Sequence, residues 1–173
     1  MPPRVAARAD IPAIRAHLEA QPNPPNLPED DDVAGYFDRS VGNVARIGDT
    51  GEFGQAHWSE VNGYSTIVWL LPEDMGRGKL APLLLDLLDA LWDEFPASHT
   101  QLVDATFHHG FDDAGEEDYG WGKANAWADF VERGGGGRPL VEEAYNSNNV
   151  RTGTRAWMPL AQVRGLLKQA IRG

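Results

Sequence analysis

Leu80, Leu83, Leu84, Leu87, Leu88 and Leu91 recur at helical spacing, and strand-like runs stand on both sides of them. A stripe of that width is a helix that buries one face. Before it come residues 53–60 and 64–71, two strand-like runs joined by Val61-Asn62-Gly63. An Asn-Gly pair between such runs is a strong hairpin signal. After it comes 100–107, rich in β-branched and aromatic residues. Parallel neighbours in a sheet need a crossover connection such as this helix, and that crossover is right-handed. The sequence thus predicts an antiparallel hairpin whose second arm has a parallel neighbour.

The flanks add elements of both kinds. Residues 4–8 alternate weakly as a short strand, and Asp10 with Pro12 marks the start of a helix carrying Ile11, Ile14 and Leu18 on one face. Four prolines within 21–28 specify a loop. The acidic run 29–32 suits a helix N-terminus, with Val33 and Phe37 as its buried stripe. Residues 43–48 and 155–160 read as strands and 108–121 as loop. Residues 124–133 read as a helix stopped by the glycines 134–137. Residues 161–172 close the chain as an amphipathic helix with Val163, Leu166, Leu167 and Ile171 inward.

At 173 residues the expectation is one domain over 1–173 with a core of its own. There is no cysteine, which excludes disulfides and thiolate chemistry. The start of the chain has no signal-peptide core and no apolar run approaches bilayer length, so the expected location is cytoplasmic, with no membrane partner. A net charge of −11 repels phosphate backbones and anionic lipid, making nucleic acid a poor partner. Arginine outnumbers lysine, as in GC-rich bacterial or phage genomes. A homodimer is compatible with all of this.

Residues 70–84, Leu-Leu-Pro-Glu-Asp-Met-Gly-Arg-Gly-Lys-Leu-Ala-Pro-Leu-Leu, resemble the acyl-CoA loop of the GNAT superfamily of N-acetyltransferases. Arg8 to Ile14 is similar to that family's lead into its first helix, and Asn125 to Gly134 to its late helix. The resemblance implies an α/β (α+β) fold: a mixed, mostly antiparallel central sheet with one parallel strand pair, flanked by helices. It implies an acyl-CoA-dependent N-acyltransferase, with acetyl-CoA or another acyl-CoA as co-substrate. The acceptor would be an amine of a small molecule or peptide. Leu70, Leu71, Gly76, Arg77, Gly78, Lys79 and Asn125 would bind the cofactor. Independently, a glycine turn that feeds a helix points free N–H groups at an anion, and glycines let a diphosphate approach. Met75 stands where the family has Arg or Gln, and Leu80 where it has Gly or Ala. The family's late tyrosine, which can protonate the departing thiolate, has no counterpart at Val131 or Glu132, leaving Tyr119 and Tyr145 as outside candidates.

Acyl transfer to an amine needs a base near neutrality. His57 and Glu60 on the first hairpin arm and His109 after the next strand are the candidates, with Asp104 nearby. His108 and His109 with Asp112 and Asp113 do not make a metal site, because adjacent strand residues point to opposite faces; no metal is expected. Asp112, Asp113, Glu116, Glu117 and Asp118 would attract a cationic amine. Trp121 and Trp127 are the tryptophans placed to make an exposed contact. Two other functions fit: a non-catalytic relative serving as a structural or interaction protein, as in a phage or an assembly, and a nucleobase-modifying Mom-like transferase, which the acidic charge disfavours.

Overall fold

The computed structural model describes residues 3–21, 26–69, 78–108, 110–111, 117–135 and 137–172. Nine strands and five α-helices are described. They are β1 (Arg4–Val5), α1 (Ile11–Glu19), α2 (Asp30–Gly35), β2 (Asn43–Ile47), β3 (Phe53–Ser59), β4 (Tyr64–Trp69), α3 (Leu80–Glu94), β5 (Leu102–His108), β6 (Gly110–Phe111), β7 (Glu117–Asp118), α4 (Trp121–Arg133), β8 (Val141–Tyr145), β9 (Arg151–Pro159) and α5 (Leu160–Arg172). Seven strands form one sheet in the order β1-β2-β3-β4-β5-β9-β8, and β6 pairs with β7. Every pairing in the large sheet is antiparallel except β4 with β5. This is the mixed, mostly antiparallel sheet with one parallel pair that the sequence predicts.

Strand alternation sorts the core into two clusters. Val44, Ala56, Ile67, Val103 and Met158 share one cluster with α3, α5 and Val131 of α4. Ala45, Ile47 and Phe53 share the other with Ile14 and Leu18 of α1. All six leucines of the α3 stripe are buried, as are Ile11, Ile14 and Leu18 of α1. At roughly 1.5–3 kcal/mol per buried large apolar side chain, the α3 stripe is a major term in the fold.

Several expectations change in detail. The hairpin turn spans residues 60–63 rather than Asn62-Gly63 alone: Ser59 still pairs with Tyr64, and Gly63 has a φ of 74° and donates its N–H to the Ser59 carbonyl. Asp10 precedes α1 but caps a short 3-10 turn, Arg8–Asp10, its carboxylate accepting from the Ala7 N–H and from Arg4. β9 starts at Arg151, and β8, which the sequence reading does not anticipate, lies beside it at the sheet edge. Part of the expected loop 108–121 is the β6–β7 ribbon. Ile171, expected inward, is 45% exposed in the last turn of α5. No helix among the described residues is long and apolar enough to cross a membrane.

Candidate active site

The site is set by where two ladders stop. Among the described residues β4 and β5 pair from Tyr64↔Leu102 to Ile67↔Ala105 and no further. Yet β4 runs on to Trp69 beside β3, and β5 runs on to His108 beside β9. On the β3 side the register shifts: Ala56 faces Ile67 while Gln55 faces Trp69, so Val68 is an extra residue, a β-bulge. A bulge bends its strand and increases its twist. It sits where β4 leaves β5. Among the described residues, the facing backbone edges of 68–69 and 106–108 therefore have no ladder partner across the gap.

The start of α3 lies after this end of β4. Gly78 has a φ of +70°, and a Cβ built there meets nothing within 4 Å among the described residues. The first intrahelical bond runs from Leu83 N–H to the Lys79 carbonyl at 3.3 Å. Pro82 has no N–H, so in the first turn of α3 the backbone donors that precede the first intrahelical bond are those of Leu80 and Ala81. Leu80 is 8% exposed, its side chain buried. The Lys79 ammonium sits 2.5 Å from Glu52 Oε1 and also donates to the Thr50 hydroxyl. Leu70, Leu71, Gly76 and Arg77 lie outside the described residues, as do Met75 and His109.

His57 stands on β3, paired with Asn43 of β2 on one side and Thr66 of β4 on the other. Its Nδ1 is 3.0 Å from Asn43 Oδ1. The Asn43 amide nitrogen donates to the Gly35 carbonyl at 3.0 Å, and the same Oδ1 accepts from Gln55 Nε2 at 2.9 Å. That network fixes the amide orientation, so Nδ1 of His57 must be the donor. A neutral His57 then carries its lone pair on Nε2, the tautomer a base needs. Asn43 was not anticipated from sequence; only the β2–β3 register brings it beside His57.

The other expected residues are placed differently. Glu60 lies in the hairpin turn, at the opposite end of β4 from the gap. Asp104 is 2% exposed and closed by Arg155, with Nη2–Oδ2 2.6 Å and Nε–Oδ1 3.2 Å. Asn125 on α4 donates to the Trp121 carbonyl at 2.9 Å and accepts from Arg138 at 2.8 Å. Tyr119 lies under Arg151, with the guanidinium carbon 4.5 Å from its ring centroid. Tyr145, on the edge strand, donates to Glu143, and that hydrogen bond raises its pKa. Trp121 is 53% exposed, whereas Trp127 is partly buried and stacked on Phe130. Among the described residues no group of three or more His, Cys, Asp or Glu could hold a metal ion.

No protein-family profile matches the chain, and no curated protein matches it by sequence. Solved structures do. A protein assigned to the GNAT family of acetyltransferases from Desulfovibrio desulfuricans superposes with a TM-score of 0.54 at 16% identity, covering 92% of this chain and 97% of that one. The ribosomal-protein-S18-alanine N-acetyltransferase of Escherichia coli gives 0.53 at 13% identity, covering 92% and 93%. A chimera of the Vibrio cholerae spermidine N-acetyltransferase gives 0.52 at 13%, covering 92% and 95%. The chain thus has the fold of these GNAT-type acetyltransferases.

Proposed function

We propose that this chain is an acyl-CoA-dependent N-acyltransferase acting on an amine. The observation that carries the reading is the end of β4–β5 pairing at Ile67 and Ala105, at a bulge, just before the start of α3. Two strand edges without ladder partners can hydrogen-bond the amide-rich pantetheine arm as a third strand would. The diphosphate falls at the α3 N-terminus, where the amides of Gly78 and Lys79 and the helix dipole favour an anion. Gly76 and Arg77 extend that seat by sequence.

The chemistry is a balanced acyl transfer. The free amine attacks the thioester carbonyl, a C–N bond forms, and the C–S bond breaks with its electron pair going to sulfur. Before attack the ammonium form of the acceptor gives a proton to His57 Nε2, directly or through water, and after the C–N bond forms the nitrogen's second extra proton passes to the departing thiolate. His57 thus makes the amine nucleophilic, and Asn43 holds the ring in the required tautomer. The acceptor is an amine of a small molecule or a peptide. The net charge of −11, with the acidic residues between Asp112 and Asp118, favours a cationic one. Spermidine and a peptide with an N-terminal alanine are the first acceptors to try, given the enzymes that share the fold.

Calorimetric titration with acetyl-CoA tests this directly. Binding is expected, and Gly78→Asp should weaken it by roughly a hundredfold or more, since it places a carboxylate against the diphosphate. The variant should stay folded, because the Cβ enters open space and Asp tolerates the left-handed region better than most residues. With an accepted amine, His57→Gln should lower kcat by about 10²–10³. A parent that does not bind millimolar acetyl-CoA is a scaffold that has lost the chemistry.

A further inference from the structure

We propose that Glu52 is a positioning residue of the acyl-CoA site, holding Lys79 as its own counter-ion and so fixing the start of α3 for the diphosphate. This rests on the acyl-CoA reading above. Glu52 is 2% exposed, in the turn between β2 and β3. That turn lies at the gap end of the sheet, because Gln55 faces Trp69. Its carboxylate meets the Lys79 ammonium at 2.5 Å. The Thr50 hydroxyl joins both, donating to Glu52 Oε1 and accepting from Lys79, and the Thr50 N–H donates to Oε2 at 3.2 Å.

The turn is built around this carboxylate. A Cβ at Gly48 would stand 2.3 Å from Glu52 Oε2. Gly51 has a φ of +93°, and a Cβ there would stand 2.8 Å from the Ala13 carbonyl oxygen and 2.9 Å from His17 Cβ, so the turn is seated on α1. Residues 48–52 therefore bridge α1 to the first residue before α3. An uncompensated carboxylate at this place would oppose an incoming diphosphate. Lys79 cancels it, and the phosphate is left to the backbone amides. The alternative role for Lys79, a direct phosphate ligand, makes opposite predictions.

The experiment is calorimetry with acetyl-CoA and with S-acetylpantetheine, which lacks the diphosphate, on the parent, Glu52→Gln, Lys79→Met and the double variant. Glu52→Gln should weaken acetyl-CoA by about tenfold and Lys79→Met by more, because it strands the carboxylate. The double variant should bind acetyl-CoA more tightly than Lys79→Met, since the stranded charge is gone. Lys79→Arg should retain affinity, and S-acetylpantetheine should bind all variants about equally. If Glu52→Gln binds acetyl-CoA as well as the parent or better, or the double variant binds no better than Lys79→Met, Lys79 is a phosphate ligand and the proposal is overturned. A parent that binds neither compound overturns the acyl-CoA reading itself and this proposal with it. Should Glu52→Gln not fold, Thr50→Val, at an exposed position, must show the same selective loss at smaller amplitude.

Discussion

Asp104 and Glu52 are both 2% exposed, and each is closed by one cation, but they are held in different ways. Asp104 sits mid-sheet. Its partner Arg155 is on the adjacent strand β9, where Thr106 pairs with Arg155 and Trp157 with Asp104 itself. Thr106 donates a further hydrogen bond to the carboxylate, and the guanidinium lies 4.4 Å from the Trp157 ring centroid. Trp157 in turn meets Tyr64 edge-on at 4.9 Å. The ladder brings these groups together whatever the ion pair does. Glu52 and Lys79 belong to a turn and a helix start that share no ladder, so their contact helps decide where those pieces lie. The first pair is part of the sheet, and the second is a joint between elements at the candidate site.

Three measurements bear on that contrast. The largest effect is expected for Arg155→Met, which leaves Asp104 buried and unpaired: about 3–5 kcal/mol of stability should be lost in urea unfolding. The acetyl-CoA affinity of the folded fraction should stay near the parent's, and a loss of affinity larger than the loss of stability would erase the distinction.

Acid titration comes second. Burial raises the pKa of Glu52, but the hydrogen bonds from Lys79 and Thr50 outweigh it and hold the carboxyl down to about 2. A depressed carboxylate stabilises the fold above its unfolded value of 4.5, and this contribution fades as pH falls toward about 2. The parent should therefore lose about 1–2 kcal/mol more than Glu52→Gln across that window, a figure discounted for screening at Lys79, whose side chain is 34% exposed. Parallel stability curves for the two proteins would remove Glu52 as a stabilising joint.

The smallest effect belongs to Gly48→Ala. The added methyl must displace the Glu52 carboxylate, costing about 1 kcal/mol in thermal or urea unfolding. If the joint positions the site, acetyl-CoA affinity should fall with it. Unchanged affinity beside a lowered melting temperature would make the turn purely structural.

The elements that carry strong periodic signals were legible from sequence. The α3 leucines, the hairpin and the returning strand point to the parallel pair because parallel neighbours need the helical crossover that α3 supplies. β8 was not legible. Val-Glu-Glu-Ala-Tyr buries only Ala144, and an edge strand with one inward residue has almost no alternation to read. Its pairing with β9 supplies the order that its own side chains do not. At the site, His57 was found from its chemistry, but Asn43 is fourteen positions away and becomes its partner only through strand register. Glu52 resembled any loop carboxylate, since nothing in Asp49-Thr50-Gly51-Glu52 signals burial.

Local pattern thus determined the α3 helix, the β3–β4 hairpin and which strand runs parallel, because those follow from side-chain period and chain connectivity over short distances. Tertiary structure alone decided that β4 bulges at Val68, that Asp104 is taken by Arg155, and that Lys79 answers to Glu52. Each depends on which distant groups share a low-dielectric neighbourhood, and the cost of leaving a buried charge or backbone group unpaired is set by that neighbourhood rather than by adjacent residues.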